Sequence, residues 1–250
     1  PRSTPLYSSA ASDVYKRQDG VFGPMPLGIH PELSDHVARR FPKGLFRHQS
    51  AAAQHLLAGR HTVVATRTSS GKSLIYSIPV FDRLLTEPDS TALFLFPQKA
   101  LANDQLQKFT AVAEDLPSLA RQREENPVLI SRYDGATPKD DRPEIREQVQ
   151  IVLTNPDMLH YAILAYPANW ERFLSTLRYV VVDECHEYRG IFGTNVSYLF
   201  RRLRAMCQRC GSSPSFIATS ATVQSPQEHM ERLTGLPFLC VGHEEDGSLQ

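Results

Sequence analysis

The sequence has no apolar run that approaches the roughly 18–20 residues of a membrane-spanning helix, which excludes a transmembrane protein and a membrane partner. It also has no N-terminal secretory pattern, and its four cysteines are irregularly spaced. Such cysteines do not form the framework of a small disulfide-stabilised secreted domain. Together these absences indicate a reducing, cytoplasmic setting.

An excess of charge of either sign is also missing, because 27 basic side chains balance 27 acidic ones. This balance excludes a grossly basic nucleic-acid coat, although it leaves room for a local basic groove. Internal repeats and low-complexity tracts are absent too. What remains is a 250-residue chain with 41% hydrophobic residues, enough for one or two domains with a buried core.

Residues 1–18 show no sustained periodicity and are rich in Ser, Ala and basic residues. The string SSAASDVYKRQ in this segment resembles a translated sequencing-adaptor tail. We therefore expect residues 1–18 to be a non-native or disordered tail outside the fold, followed by a lead-in segment over 19–44.

The rest of the chain alternates between short apolar runs and helical patterns, which predicts an α/β fold. Seven β-branched runs are predicted as buried strands: His61–Ala65, Thr91–Phe96, Val128–Arg132, Gln150–Thr154, Arg178–Asp183, Ser215–Thr219 and Phe238–Val241. Helical patterns cover 46–58, 72–85, 99–114, 193–209 and 226–234. This alternation indicates a doubly wound, mostly parallel sheet with helices on both faces. Ligands of such sheets bind beyond the carboxyl ends of the strands, where we look for chemistry.

A phosphate-binding loop, 66–73, follows the first strand and leads into an apolar-periodic helix. Backbone N–H groups at a helix N-terminus form an anion cradle, here supplied by Thr68, Ser69, Ser70 and Gly71. Lys72 is expected to reach the β- and γ-phosphates of a nucleotide, and the Ser73 hydroxyl to hold Mg²⁺. The strict pattern has glycine where this chain has Thr66, so the motif by itself is weak evidence.

An acidic pair, Asp183 and Glu184, stands at the tip of the fifth predicted strand. A carboxylate at the end of an apolar strand is costly unless it meets a cation or water. Asp183 is therefore expected to bind Mg²⁺, and Glu184 to orient and deprotonate an attacking water. The alternative is an ordinary acidic strand–loop junction, which the phosphate-binding loop upstream makes less plausible.

Two further groups of residues fit a nucleotide site. Phe46 could stack on an adenine ring while the Gln49 amide reads its edge. After the sixth strand, the hydroxyls of Ser220 and Thr222 are expected to hydrogen-bond His186 and so to couple the two strand ends.

The tips of three other strands are candidates for contact with nucleic acid. Thr154 and Asn155 precede a helix N-terminus, which could hold a phosphate. Lys99 and Gly135 follow neighbouring runs. Because the carboxyl ends of parallel strands lie on one side of a sheet, these residues should form one edge of the sheet. We expect this edge to contact successive phosphates of one nucleic-acid strand.

In this order, the motifs resemble those of the superfamily-2 DEAD/DEAH-box ATP-dependent helicases. The strings that carry the resemblance are LFRHQ (Q-type motif), TRTSSGKS (motif I), FPQKALANDQ (Ia), TNPDML (Ib), DECH (II) and SAT (III). LFRHQ, YDGATP, TNPDMLH and the residues after DECH are similar to bacterial DNA-repair helicases with a C-terminal four-cysteine zinc module, relatives of the fungal RecQ-four-like helicase.

The resemblance implies that 45–242 is the first RecA-like, ATP-binding domain of a DNA helicase, with ATP and Mg²⁺ as cofactors. It implies DNA, as a single strand, as one partner. It implies a second RecA-like domain of the same full-length chain as another, which supplies an arginine finger. Residues 243–250 would begin a truncated downstream region, so the 250-residue chain alone is expected to be nearly inactive.

The chain departs from the family pattern at Arg67, where glycine is usual, and at Gln98, where threonine is usual. The lone pair Cys207 and Cys210 lacks two further ligands of a zinc site, so no metal is expected there. A DEAH-like RNA helicase shares the same motifs and stays open as an alternative. A GTPase is disfavoured because Asn-Lys-x-Asp does not occur. Nucleotide titration would separate a non-catalytic nucleic-acid-binding module from these enzymes.

Overall fold

A computed structural model describes residues 20–66, 71–221, 224–242 and 246–248 of the chain. The expected tail over 1–18 lies outside these residues. Within them, the strands are β1 (Phe22–Gly23), β2 (Leu45–Phe46), β3 (Thr62–Ala65), β4 (Thr91–Leu95), β5 (Ile130–Arg132), β6 (Ile151–Thr154), β7 (Leu177–Val182), β8 (Ser215–Ser220) and β9 (Leu239–Val241).

The helices of the described residues surround these strands. They are α1 (Pro31–Arg40), α2 (Arg47–Leu57), α3 (Lys72–Thr86), α4 (Lys99–Asp115), α5 (Pro117–Glu125), α6 (Arg142–Gln148), α7 (Pro156–Met158), α8 (Glu171–Ser175), α9 (Gly190–Arg209) and α10 (Pro226–Thr234). A π-helical turn follows α7 over Leu159–Ile163, and 3₁₀ turns cover Pro167–Trp170 and Cys185–Glu187. None of the helices in the described part of the chain has the length and apolar character needed to cross a membrane.

The main sheet contains seven strands in the order β5-β6-β4-β7-β8-β3-β9, and every neighbouring pair is parallel. The predicted parallel α/β sheet is therefore confirmed, with all seven predicted strands present. Their bounds differ from the prediction by one or two residues, which is the usual uncertainty at the ends of secondary-structure elements.

Two hydrophobic cores cover the two faces of this sheet. Along β4, Phe94 packs into the core beneath α1 to α5, whereas Leu93 and Leu95 pack into the core beneath α6 to α10. Successive side chains of a strand point to opposite faces, so a sheet covered on both sides needs near-continuous apolar sequence. This requirement explains the unbroken Tyr-Val-Val-Val run over 179–182 of β7.

The lead-in segment packs against the sheet domain. In α1, Leu33 and Val37 are buried in the same core as Phe81 of α3. β1 pairs with β2 in a small antiparallel sheet, and the Val21 amide donates to the Gly247 carbonyl over 2.9 Å. Residues at both ends of the described chain therefore meet next to the start of α2.

We predict that Gly193→Ala destabilises the chain although alanine is the better helix former. A Cβ at this position in α9 would lie 2.4 Å from the Tyr188 carbonyl oxygen and 2.7 Å from the carbonyl carbon. Glycine to alanine inside a helix normally stabilises by about 0.5–1 kcal/mol. Here the forced backbone shift should lower the free energy of unfolding by about 1–3 kcal/mol in urea denaturation.

The matched control is Asn195→Ala, an exposed position in the same helix. That change should alter the free energy of unfolding by no more than about 0.5 kcal/mol. A Gly193→Ala chain as stable as the parent would contradict the close packing of α9 on the loop after β7.

Candidate functional site

The phosphate-binding loop connects β3 to α3 at the carboxyl edge of the sheet. Gly71 caps α3 with a left-handed backbone, φ 73°, and a Cβ there would lie 2.6 Å from Gln49 Nε2. Only glycine combines this conformation with so close a neighbour at little cost. Thr68, Ser69 and Ser70, which were expected to complete the cradle, lie outside the described residues, as does Arg67. The N-terminus of α3 places its positive end at this edge.

The Lys72 ammonium bridges the ends of two neighbouring strands. It donates to the Ser220 carbonyl over 2.8 Å and to the Thr66 carbonyl over 3.3 Å. Thr66 follows β3 and Ser220 ends β8, so one cation ties the loop to the adjacent strand. Both hydrogen-bond acceptors are neutral carbonyls, so anionic phosphate oxygens can compete with them for this ammonium.

The Ser73 hydroxyl lies in a cluster of polar groups. Gln105 Nε2 of α4 donates to Ser73 Oγ over 3.4 Å, and the Tyr76 phenol also contacts this hydroxyl. Burial raises the pKa of Tyr76 well above its usual range, and the nearby charge of Asp183 raises it further. Ser73 and Asp183 therefore both lie close to the Tyr76 phenol, although they come from different elements.

Asp183 lies just beyond β7 and is only 9% exposed. Burial raises the pKa of its carboxyl, whereas a hydrogen bond donated by the Thr219 hydroxyl and the charge of Lys72 oppose this rise. Carboxylate and hydroxyl oxygens are the donors that Mg²⁺ prefers. Asp183 and Ser73 thus fit a magnesium ion that takes its remaining ligands from phosphates and water.

Glu184 adopts a left-handed backbone, φ 47°, which only Ser225 shares among the non-glycine residues that the structure describes. Such strain persists at functional sites, where the surroundings hold it in place. Its backbone N–H donates to Thr219 Oγ1 over 3.4 Å, and its Oε2 lies 3.2 Å from His186 Nδ1. The strained turn directs this carboxylate toward the imidazole.

The structure connects His186 to β8 through the backbone. The Ala221 N–H lies 3.4 Å from His186 Nδ1 and donates to it. The Ser220 side chain instead contacts the Cys185 thiol, whose pKa burial raises to about 12. Thr222 lies outside the described residues. The expected hydroxyl contact of Ser220 with His186 is thus replaced by a main-chain contact one residue later.

Phe46 and Gln49 lie together beside the phosphate-binding loop. Gln49 accepts from the Phe46 N–H over 2.9 Å and donates to the Gly71 carbonyl over 3.1 Å. The Phe46 ring stacks on Phe22 at 5.3 Å and on His48 at 5.9 Å between ring centroids. The aromatic surface expected from Phe46 alone therefore extends to Phe22, which is 38% exposed and was missed in the sequence.

Residues Thr154 and Asn155 have structural partners at the tip of β6. The Thr154 hydroxyl is buried and donates to the Tyr133 carbonyl over 2.6 Å, so it points into the fold and not toward a phosphate. Asn155 Oδ1 accepts from the Met158 N–H over 2.9 Å and caps α7. Asn155 thus stabilises the first turn of α7, whereas Thr154 joins this tip to the residue that follows β5.

The other two expected nucleic-acid contacts lie at adjacent tips. Gly135 is exposed in a turn that Asp134 stabilises by accepting from the Ala136 N–H over 2.7 Å. Lys99 begins α4 just after β4, and its side chain lies outside what the structure describes. Because β5, β6 and β4 are neighbours in the sheet, their tips lie side by side.

Two important contacts were not found from sequence: Gln105 on Ser73 and Thr219 on Asp183. Gln105 stands at the end of the FPQKALANDQ string, whereas the residue of this string predicted to bind is Lys99, near the strand tip. Thr219 lies within β8, next to Ser220, one of the two hydroxyl residues expected to hydrogen-bond His186. The run of hydroxyls was a visible signal, but the alternation of side chains along β8 decides which one meets Asp183.

Comparison with known proteins places this geometry among helicases. Residues 46–230 match the family model for DEAD/DEAH box helicases. ATP-dependent helicase HRQ1 of Saccharomyces cerevisiae is 41% identical over 88% of this chain and 20% of its own. Uncharacterized ATP-dependent helicase YprA of Bacillus subtilis is 38% identical over 87% of this chain and 28% of its own. The chain thus spans about a quarter of these relatives.

Solved structures agree with the sequence relatives. The DUF1998 helicase MrfA bound to DNA superimposes with a TM-score of 0.85 at 36% identity, over 93% of this chain and 32% of that one. The DEAD-box helicase Mss116 bound to single-stranded RNA has a TM-score of 0.70 at 18% identity, over 86% of this chain and 43% of that one. The second likeness concerns the fold alone.

We predict that Asp183→Asn raises the melting temperature at neutral pH. A raised native pKa means that the stability this group contributes is lost as the pH rises through that pKa. Asparagine removes the charge and keeps an oxygen that accepts from Thr219. Each kcal/mol gained should add about 2–4 °C for a chain of this size. Thermal denaturation near pH 8 should show the gain, and near pH 4 the gain should shrink.

Asp140→Asn is the control, because Asp140 is exposed in a turn and should leave the melting temperature unchanged. If Asp183→Asn melts at or below the parent temperature near pH 8, ionised Asp183 does not lower the stability of the site.

Proposed function

Since the chain belongs to the DEAD/DEAH box helicase family, we propose that it forms the ATP-binding domain of an ATP-dependent DNA helicase or translocase. The observation that best supports this proposal is that the candidate nucleotide site and the candidate nucleic-acid site lie along a single edge of the sheet. Lys72, Asp183 and Glu184 stand at the ends of β3 and β7, while the tips of β4, β6 and β5 continue the same edge. The motif strings shared with DNA-repair helicases extend the proposal to repair.

Nucleotide binding is assigned to the loop and the two strand tips beside it. Lys72 would exchange its carbonyl contacts for β- and γ-phosphate oxygens, and Gln49 and Phe46 would face the adenine. Ser73 and Asp183 would hold Mg²⁺, which when bound neutralises phosphate charge. Glu184 would orient the attacking water and take its proton, with its carboxylate positioned by the strained turn and by His186.

Hydrolysis at a useful rate would require a second RecA-like domain. An arginine finger typically supplies on the order of 10³–10⁵ in the rate of phosphoryl transfer. Two arginines of α9 have partners elsewhere: Arg202 contacts His160 Nδ1 at 2.8 Å, and Arg204 donates to the Thr234 carbonyl over 2.8 Å. Both contacts lie on the helical layer that covers the sheet face, so neither guanidinium stands beside Lys72.

The nucleic-acid partner is assigned to the tips of β4, β6 and β5. The exposed turn at Gly135 would offer backbone N–H groups to phosphates, and it lies next to the start of α7, where Asn155 caps the Met158 N–H. DNA is favoured over RNA because the structure of MrfA, at 36% identity, is a complex with DNA. Because the overall charge of the chain is balanced, binding should rest on few phosphate contacts.

Lys72→Ala is expected to weaken binding of a non-hydrolysable ATP analogue with Mg²⁺ at least about tenfold, since a hydrogen bond to a charged group contributes about 1.5–3 kcal/mol. Titration calorimetry measures this change. Lys43→Ala removes an exposed lysine far from the loop in sequence and should leave the affinity as in the parent. Equal affinities for the parent and Lys72→Ala would refute the nucleotide site.

Single-stranded DNA is expected to bind weakly, with an affinity that falls as salt is raised. Each phosphate contact to a single strand contributes a slope of about −0.7 in log K against log salt. Fluorescence anisotropy with labelled DNA at two salt concentrations measures it, with RNA of the same sequence as the comparison. An affinity that does not change with salt concentration would contradict phosphate contacts along this edge. Tighter binding of RNA than of DNA would favour the RNA helicase alternative.

A further inference from the structure

Gln105 links α4 to the nucleotide site by a side chain that is only 7% exposed. Its Nε2 donates to Ser73 Oγ over 3.4 Å, across from one helix to another. Its Oε1 is buried and has no hydrogen-bond partner among the described residues. A buried amide oxygen without a partner is uncommon in folded proteins and calls for a physical reason.

The chemistry of the Ser73 hydroxyl supplies that reason. A hydroxyl has one proton to donate and two lone pairs to accept with. In the described structure, Ser73 Oγ accepts from the Gln105 amide. When Ser73 Oγ donates a lone pair to a metal ion, Oγ becomes a poorer hydrogen-bond acceptor. The hydroxyl proton of Ser73 then needs a hydrogen-bond acceptor. The Nε2 group of Gln105 cannot serve, because an amide NH₂ only donates.

We propose that Gln105 is a positioning residue for Mg²⁺, whose amide turns by half a revolution when Mg²⁺–nucleotide binds. The turn replaces Nε2 by Oε1 at Ser73, so that Oε1 accepts the Ser73 proton and directs the lone pair of Oγ toward the metal. The buried oxygen thereby gains the partner that it lacks in the described structure. This inference rests on the proposed function, because it takes Ser73 as a magnesium ligand.

Tyr76 is the competing acceptor for the same proton. Its phenol also contacts Ser73, and burial raises the pKa of Tyr76, which keeps the phenol protonated. A protonated phenol can still accept through its oxygen. Gln105→Met and Tyr76→Phe therefore distinguish the two acceptors, since each removes one polar group while retaining the approximate shape of the side chain.

The test measures the dissociation constant of a fluorescent ATP analogue with Mg²⁺ and with EDTA, and uses the ratio of the two values. Gln105→Met should reduce the tightening due to Mg²⁺ by about three- to tenfold, as expected for one lost hydrogen bond between neutral groups. Binding in EDTA should change less than about twofold. Gln105→Glu, whose carboxylate accepts but does not donate, should preserve the Mg²⁺ effect or enlarge it.

Gln107→Met is the matched control, because Gln107 is exposed on the same helix. Its Mg²⁺ effect should equal that of the parent. An unchanged ratio in Gln105→Met, or a loss found only in Tyr76→Phe, would overturn the proposal. A thermal melt shows whether Gln105→Met folds. If it does not fold, the test rests on Gln105→Glu. In that case the proposal is overturned if Mg²⁺ tightens nucleotide binding less in Gln105→Glu than in the parent.

Nuclear magnetic resonance of the Gln105 side-chain amide gives a readout independent of affinity. Addition of Mg²⁺–nucleotide should break the contact of the NH₂ group with Ser73 and shift its resonance, whereas nucleotide in EDTA should not. A shift of equal size in both samples would contradict the rotation. Lys72→Ala separates the two levels of inference: if it binds nucleotide as tightly as the parent, the proposed function itself fails.

Discussion

All seven strands of the main sheet run in the same direction, and the site depends on this constraint. Parallel strands end at one edge, so loops far apart in sequence meet there. The strand order β5-β6-β4-β7-β8-β3-β9 then divides this edge into two neighbouring parts. β3, β8 and β7 bring Lys72, the Ser220 carbonyl and Asp183 together, while β4, β6 and β5 form the adjoining part. A change of strand order would separate these groups without altering any motif.

Several polar groups of the site are buried or have a strained backbone. Burial raises the pKa of Asp183, Glu184 has a left-handed backbone, and Gln105 Oε1 is buried without a partner in the described residues. Each of these features lowers stability where it occurs. Two hydrophobic cores, one on each face of the sheet, stabilise the strands whose ends hold these groups. Under the proposed function, bound Mg²⁺ would offset the burial of the Asp183 carboxylate, and Gln105 Oε1 would gain the partner that it lacks among the described residues.

Some of the site was predictable because its chemistry is local. A glycine-lysine-serine run after an apolar strand indicates a phosphate loop, since helix N-terminus, cation and hydroxyl are set by a few consecutive residues. Thr219 and Gln105 were missed because their roles depend on partners 36 and 32 residues away. Thr154 was predicted to contact nucleic acid because it stands at the tip of a strand, but its hydroxyl turns inward to the Tyr133 carbonyl.

The amino-acid sequence by itself determined the fold class, the seven strands and the motifs at their tips. Each strand or helix buries particular residues, and this burial sets the pattern of apolar residues within that element. The pattern can therefore be read from a short stretch of sequence. Tertiary structure decided which tips became neighbours, which hydroxyl meets Asp183, and that Ala221 reaches His186 through its backbone. These outcomes depend on strand order and side-chain direction. A hydrogen bond requires its two atoms to lie within about 3 Å of each other, and the distance between two residues along the sequence does not predict whether they come that close.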